Sequence, residues 1–262
     1  SALLAEVVPE VLIAERKEKL GLNDIERLTE EAEEVEEAGN FQKVIKILEQ
    51  ILAIKTKELG PEHPDIANSL HQLAGRYYRQ GLYIKAEPLL LQSLAIRKKI
   101  LGVDHPDTAD GLNNLSTLYY SQGLFSKAVE FSLSALSIRE KVFGPESLEV
   151  ANSLHNLATP YTKQGLYSKA EPLYLRALSI REKLLGLEHP NTAISLSNIA
   201  SVYEKQGLYR KSESLYKRAL EITQKALGNE HSLTAHYLKK LAFLYYRQGL
   251  YNRAEPLLKR SL

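Results

Sequence analysis

Gly60, Gly102, Gly144, Gly186 and Gly228 stand 42 residues apart without slippage. A register held this strictly leaves few folds open, because a fixed period of this length means copies of one supersecondary unit stacked in a row. A second series runs on the same period: Gln80-Gly81-Leu82-Tyr83, then Gln122 to Phe125, Gln164 to Tyr167, Gln206 to Tyr209 and Gln248 to Tyr251, with Ala38-Gly39-Asn40-Phe41 as a weaker first member. Six units are visible.

The stretch before each of these turns carries apolar residues at helical spacing, as in Leu70, Leu73, Ala74 and Tyr77, and again in Leu112, Leu115, Ser116 and Tyr119. That pattern predicts a helix with one buried stripe. Gly81 can take the left-handed conformation that closes a helix, and from Tyr83 through Ala86, Leu90, Leu94 and Ile100 the 3.6-residue period resumes. Each unit is therefore expected to be a helical hairpin. Between units, Leu59 to Asp65 and its copies supply Gly and Pro to stop one helix, and Asp65, Asp107 or Asn191 is the expected cap of the next. Glu149 and Leu233 break the capping pattern, with Ser232 as the substitute in the last unit. Pro88, Pro172 and Pro256 fall early in the second helix, where each removes a hydrogen bond and is expected to bend it. A hairpin of this size cannot bury both helices alone, so the reading is an all-α, right-handed α-solenoid of stacked hairpins with a concave and a convex face. Small residues at one first-helix position (Ala74, Ser116, Ala158, Ala200, Ala242) and near the second-helix start (Ala86, Ala128, Ala170, Ser212, Ala254) are what close helix packing requires.

These small residues, with Leu at 70, 112, 154, 196 and 238 and Tyr at 77, 119, 161, 203 and 245, resemble the tetratricopeptide repeat. The 42-residue unit with its EHPD-type linker is similar to the repeats of kinesin light chains and of their bacterial relatives, and Ala170 to Gly186 is especially close in wording. On that resemblance, residues 22–262 are six repeats, bounded 22–60, 61–102, 103–144, 145–186, 187–228 and 229–262, the last truncated. Residues 1–21 read as a capping helix or a degenerate repeat. The resemblance implies a non-enzymatic scaffold that binds peptide segments of partner proteins in its concave groove. The alternative is a regulatory or oligomerisation module of a larger signalling protein. No sustained heptad run supports attachment to a motor.

Composition narrows the chemistry. The absence of Cys among 262 residues excludes disulfides, thiolate metal sites and cysteine nucleophiles. With 34 Lys plus Arg against 32 Asp plus Glu, there is no global electrostatic case for a nucleic acid or a membrane as partner. No apolar run approaches the roughly 18 residues of a spanning helix, and Glu6 and Glu10 interrupt what would be a signal core. A cytoplasmic location is expected. Residues 22 to 40 hold eight acids against Arg27, which reads as a solvated face or, alternatively, as a surface for weak, salt-sensitive self-association through the acidic first repeat.

No nucleophile elbow, phosphate loop or HExxH spacing is present, so neither catalysis nor a cofactor nor a metal is expected. His63, His105, His189 and His231 share one linker position and read as a linker contact or cap. The first helices line the groove in the family, and one position there gives Gln72, Asn114, Asn156, Asn198 and Lys240. Asparagine at that place commonly bonds the backbone of an extended peptide, which suits its paired donor and acceptor; the other reading is that it bridges neighbouring first helices. Flanking candidates are His71, Asn113, His155 and Lys239, then Arg79, Lys163, Lys205 and Arg247. Tyr78, Tyr120 and Tyr246 rotate about 100° off the buried stripe toward the open face, whereas Tyr83, Tyr167, Tyr174, Tyr209 and Tyr251 read as packing with the core tyrosines. The mostly basic set points to an acidic ligand.

Overall fold

The computed structural model describes residues 21 to 261 other than Leu22. The capping segment expected over residues 1–21 lies outside them but for Gly21. Among the described residues every regular element is a helix: α1 (23–37), α2 (Phe41–Leu59), α3 (Pro64–Arg79), α4 (Tyr83–Leu101), α5 (Pro106–Ser121), α6 (Phe125–Phe143), α7 (Leu148–Lys163), α8 (Tyr167–Leu185), α9 (Pro190–Lys205), α10 (Tyr209–Leu227), α11 (Ser232–Arg247) and α12 (Tyr251–Arg260). Two compact units divide them, one ending at Leu118 and the other beginning at Tyr119, within α5.

The two glycine series do different work. At the tight turns, Gly81 takes φ +73°, its N–H donates to the Tyr78 carbonyl at 2.9 Å, and the Leu82 N–H reaches back to the Tyr77 carbonyl at 2.9 Å. This is the Schellman arrangement, which satisfies carbonyls left over at a helix end. It recurs at Gly39, Gly123, Gly165, Gly207 and Gly249, so Tyr at 77, 119, 161, 203 and 245 also marks the residue whose carbonyl closes each turn. Gly60 and its copies instead combine φ +84° with ψ 156°, a region open essentially to glycine alone.

The capping expectation is corrected. His63, not Asp65, caps α3: its Nδ1 accepts the Asp65 N–H at 3.2 Å. His105, His189 and His231 do the same for Asp107, Asn191 and Leu233, each at 3.1 Å, so neither Asn191 nor Ser232 is the cap. Pro64 and Pro190 occupy the first helical position, which suits proline, and Ser232 takes that position after His231. The cap therefore lies two residues upstream of Asp65 and Asn191, and Asp65 is left in the first turn, where its charge suits the helix dipole. Ser147 holds the same place in the fourth repeat and accepts the Val150 N–H at 3.3 Å.

In the first unit α2 packs on α3 and α3 on α4. Leu28 and Ala32 of α1 meet Ile47 and Ile51 of α2, and Ile66, Ala67 and Leu70 of α3 meet Ile96 of α4. Part of the acidic run is neutralised here: Glu36 pairs with Arg76 and, at 3.8 Å, with Arg79, while Glu31 takes Lys43 at 2.9 Å. In the second unit consecutive helices pack from α6 to α12, and one cluster joins Leu196 and Ala200 of α9, Tyr216 and Ala219 of α10, Tyr237 and Leu241 of α11, and Ala254 of α12. The small positions behave as expected: Ala74, Ala158, Ala200, Ala242, Ala86, Ala128, Ala170 and Ser212 are wholly buried. The tyrosine assignments need correction. Tyr216 and Tyr237, not singled out in the sequence, are fully buried, whereas Tyr251 is exposed, its ring centroid 5.4 Å from that of Tyr246.

Candidate functional site

In the second unit the first helices α7, α9 and α11 leave an open hollow of roughly 430 Å³, floored by Tyr174 of α8. The size matches one or two side chains rather than a folded partner. Tyr174 is buried and burial pushes its phenol pKa up; its Oη lies 3.1 Å from Thr159 Oγ1 and its ring leans on His155 with centroids 5.7 Å apart.

His155 is fixed on its other side by Asn198, whose Nδ2 lies 2.9 Å from His155 Nδ1. An amide NH2 can only donate, so Nδ1 is the acceptor and the ring proton sits on Nε2. Burial first, and then the guanidinium of Arg181, push the His155 pKa down to about 4. Arg181 is itself buried, donating to Ser195 Oγ at 2.6 Å and Asn152 Oδ1 at 2.8 Å. Glu204 is not a free acid at this wall: it accepts from Arg247 Nη1 at 2.9 Å and from the Tyr216 hydroxyl at 3.3 Å.

Lysines close the rim. Lys163 and Lys205 are exposed and Lys240 is half-buried, all three lining the hollow. Among the described residues no carboxylate comes within ion-pair reach of them, whereas Lys183 and Lys225 on second helices are paired with Glu146 and Glu188. Lys163 sits 5.9 Å from the Tyr120 ring centroid. Three unpaired cations around one polar hollow favour an anionic group.

The first unit repeats part of this arrangement. Asn114 Nδ2 lies 3.4 Å from His71 Nδ1, and burial followed by Arg97 lowers the His71 pKa, with Asp110 opposing. Its hollow, of about 490 Å³, lies between α1, α2 and α3. Gly75 opens it, since a Cβ built there would meet nothing within 4 Å, and Arg79 stands at its edge.

The remaining sequence candidates scatter. Gln72 is exposed but lines the first-unit hollow with His71 and Arg79, whereas Lys239 is exposed and Asn113 and Asn156 are half-buried and both partnered. Tyr78, Tyr120 and Tyr246 lean on Tyr83, Phe125 and Tyr251, the first residues of the following helices, with centroids 5.4 to 5.6 Å apart. The residues missed in the sequence are Tyr174, Gly75 and the arginine layer. Arg97, Arg139 and Arg181 keep the 42-residue register, and that recurrence was the available signal. No group of three or more potential metal ligands forms among the described residues, and no helix there is long and apolar enough to cross a membrane.

Comparison with known proteins matches this architecture. The family profile described as tetratricopeptide repeat matches residues 35–99, 65–141, 127–183, 149–222 and 191–262. The nearly identical repeats of a Podosopora anserina protein assigned to the kinesin light chains are 30% identical over 76% of this chain and 94% of theirs, with a TM-score of 0.65. BtubC (BKLC) from P. vanneervenii, 22% identical over 85% of this chain and 87% of its own, gives 0.66. Aspartyl phosphate phosphatase F from Bacillus subtilis, at 13% identity over 98% of this chain and 74% of its own, gives 0.73; these last two likenesses show the fold alone. No curated protein sequence matches. With helical hairpins on a 42-residue period along its length, the chain belongs to the tetratricopeptide repeat family, a fold typical of protein–protein interaction scaffolds, and its repeats are of the kinesin light chain type.

Proposed function

We propose that the chain is a non-enzymatic, cytoplasmic scaffold that binds an acidic peptide segment of a partner protein along its first-helix face. The observation that carries this reading is the hollow of the second unit, where Lys163, Lys205 and Lys240 stand unpaired around His155 and Asn198. A stiff hairpin array presents these groups already placed, so binding costs little ordering on the protein side. An extended acidic segment suits them: carboxylates meet the lysines, and the peptide backbone meets the asparagine amides. Asn114, Asn156, Gln72, His71, Asn113, Lys239, Arg79 and Arg247 extend the same face within their own units. The tyrosines 78, 120 and 246 would contribute at the turn end.

The test is a peptide-display selection against the full chain beside a Lys163→Glu/Lys205→Glu variant. Both side chains are exposed, so reversal should leave folding intact. An acidic motif enriched by the parent, and bound at least tenfold more weakly by the variant with steep loss in salt, supports the proposal. Equal enrichment by both proteins, or none by either, rejects it. Self-association through the acidic α1 would compete with such a ligand, and sedimentation at low and high salt measures it.

A further inference from the structure

The pairing of His155 with Asn198 recurs as His71 with Asn114, each across 43 residues and each between the first helices of successive repeats. We infer that His71 and His155 are positioning residues of the groove, each holding the asparagine amide one repeat on, so that its Oδ1 and second N–H stand ready for the backbone of an extended peptide. The inference rests on the peptide-groove reading above and adds to it the device that orients the reader.

The physical need is specific to asparagine. Its amide is nearly symmetric in shape but opposite in hydrogen-bonding sense at its two ends, so an untethered side chain presents donor or acceptor to a ligand at random and must be ordered on binding. An imidazole nitrogen that can only accept removes the ambiguity. Nδ2 is drawn to Nδ1, and Oδ1 is left for the ligand.

For this to work the imidazole must stay unprotonated and must not turn. Both conditions are met at His155, and the first of them at His71. The His155 ring is braced by Tyr174, and Arg181 stands behind it, itself held by Ser195 and Asn152. In the first unit Arg97 has the same place, held by Asn68 Oδ1 at 3.3 Å and the Asp107 carbonyl at 3.2 Å. A fixed guanidinium opposes a second positive charge on the imidazole, and burial acts in the same direction. The other charged groups at the second-unit hollow are Lys163, Lys205 and Lys240, which also disfavour protonation, and Glu204, already neutralised by Arg247.

Asn113 occupies the histidine position in the intervening repeat and offers donor and acceptor alike, so the accept-only anchor is confined to His71 and His155. Beyond Asn198 the device stops: the next pair of positions holds Ser197 and Lys240, and the groove changes from amide to ammonium.

The full chain and its His155→Ala, His155→Asn and Asn198→Ala variants are compared in two ways. The ligand-free readout is ¹⁵N NMR of the side chains. The parent should show His155 with Nδ1 unprotonated from pH 8 to pH 5, and a shifted Asn198 amide that reverts in His155→Ala and is recovered only in part in His155→Asn. The binding readout uses the acidic peptide recovered by display. His155→Ala and Asn198→Ala should each weaken it about tenfold, the double variant no further, and His155→Asn, whose amide can pair in either sense, should restore it only in part. A proton on Nδ1 overturns the inference whatever the peptide does. Loss in Asn198→Ala with full affinity in His155→Ala overturns the positioning role while leaving the groove standing. Full affinity in all variants rejects the groove reading, and the inference falls with it.

Discussion

Two glycines lie inside helices of the first unit, Gly75 in α3 and Gly111 in α5, neither with positive φ. A glycine in a helix interior costs about 0.8–1.0 kcal/mol relative to alanine, because it surrenders more backbone freedom on folding. The same Gly→Ala change should nonetheless differ at the two places. At Gly75 a new Cβ meets nothing within 4 Å, so the full propensity gain is expected, about 1 kcal/mol. At Gly111 it would lie 3.1 Å from Leu94 Cδ1, and Leu94 is only 4% exposed within the packed hairpin. The leucine must yield a few tenths of an ångström in a filled core, and overpacking there offsets the gain; the net change at Gly111→Ala should be near zero or unfavourable. Urea unfolding of the full chain, followed by far-UV circular dichroism, reads both as midpoint shifts. The variants share one unit, so incomplete cooperativity along the array affects them alike. A Gly75→Ala protein no more stable than the parent, or a Gly111→Ala protein stabilised as much, would refute the reasoning.

Ser212 stands where four other repeats have Ala, and its buried hydroxyl has no hydrogen-bond partner among the described residues; Ser212→Ala should stabilise by about 1 kcal/mol in the same urea assay. Removing the linker cap in His189→Ala should cost about 1 kcal/mol, and His189→Ser should recover most of it, as Ser147 caps the equivalent helix. The His155 pKa is depressed to about 4 in the fold, below the ordinary value near 6.5. The unfolded chain therefore binds the proton first, and stability should fall as pH drops from about 6.5 to 4, by at most about 1.4 kcal/mol per unit from this group. His155→Asn should flatten that limb of a pH-dependent denaturation series.

The hairpins were legible because both glycine series answer to backbone requirements that little else meets: a left-handed residue at Gly81 and a positive φ with extended ψ at Gly60. The small-residue positions were legible for a similar reason, since close helix approach admits only Ala or Ser. The caps were misplaced by one physical step. Asp and Asn outrank His as caps in general, but α3 and α9 begin at the proline before Asp65 and Asn191, and α11 begins at Ser232, so the histidine just upstream is the residue in the cap position. The second-unit hollow was only partly legible: His155, Asn198, Lys163, Lys205 and Lys240 could be placed on first helices, but the hollow also takes Tyr174 from a second helix, and Arg181 acts on His155; no spacing within one helix reports such a meeting.

The repeat itself accounts for where the chain is free to differ. At the first-helix packing position Ala74, Ser116, Ala158, Ala200 and Ala242 are all small, since any enlargement would part the stacked helices. The next residue along turns out of that contact, and it is Gly75, Thr117, Thr159, Ser201 and Phe243. Two hollows border it, an open one over Val44 and Leu48 beside Gly75 and a polar one between Thr159 and Ser201, while Phe243 stands as an exposed ring. The residue at this position thus bears on how open and how polar the two hollows are, on an unchanged scaffold. Exchanging Gly75 for Thr, or Thr159 for Gly, should accordingly alter which peptides bind while leaving the stacked core as it is.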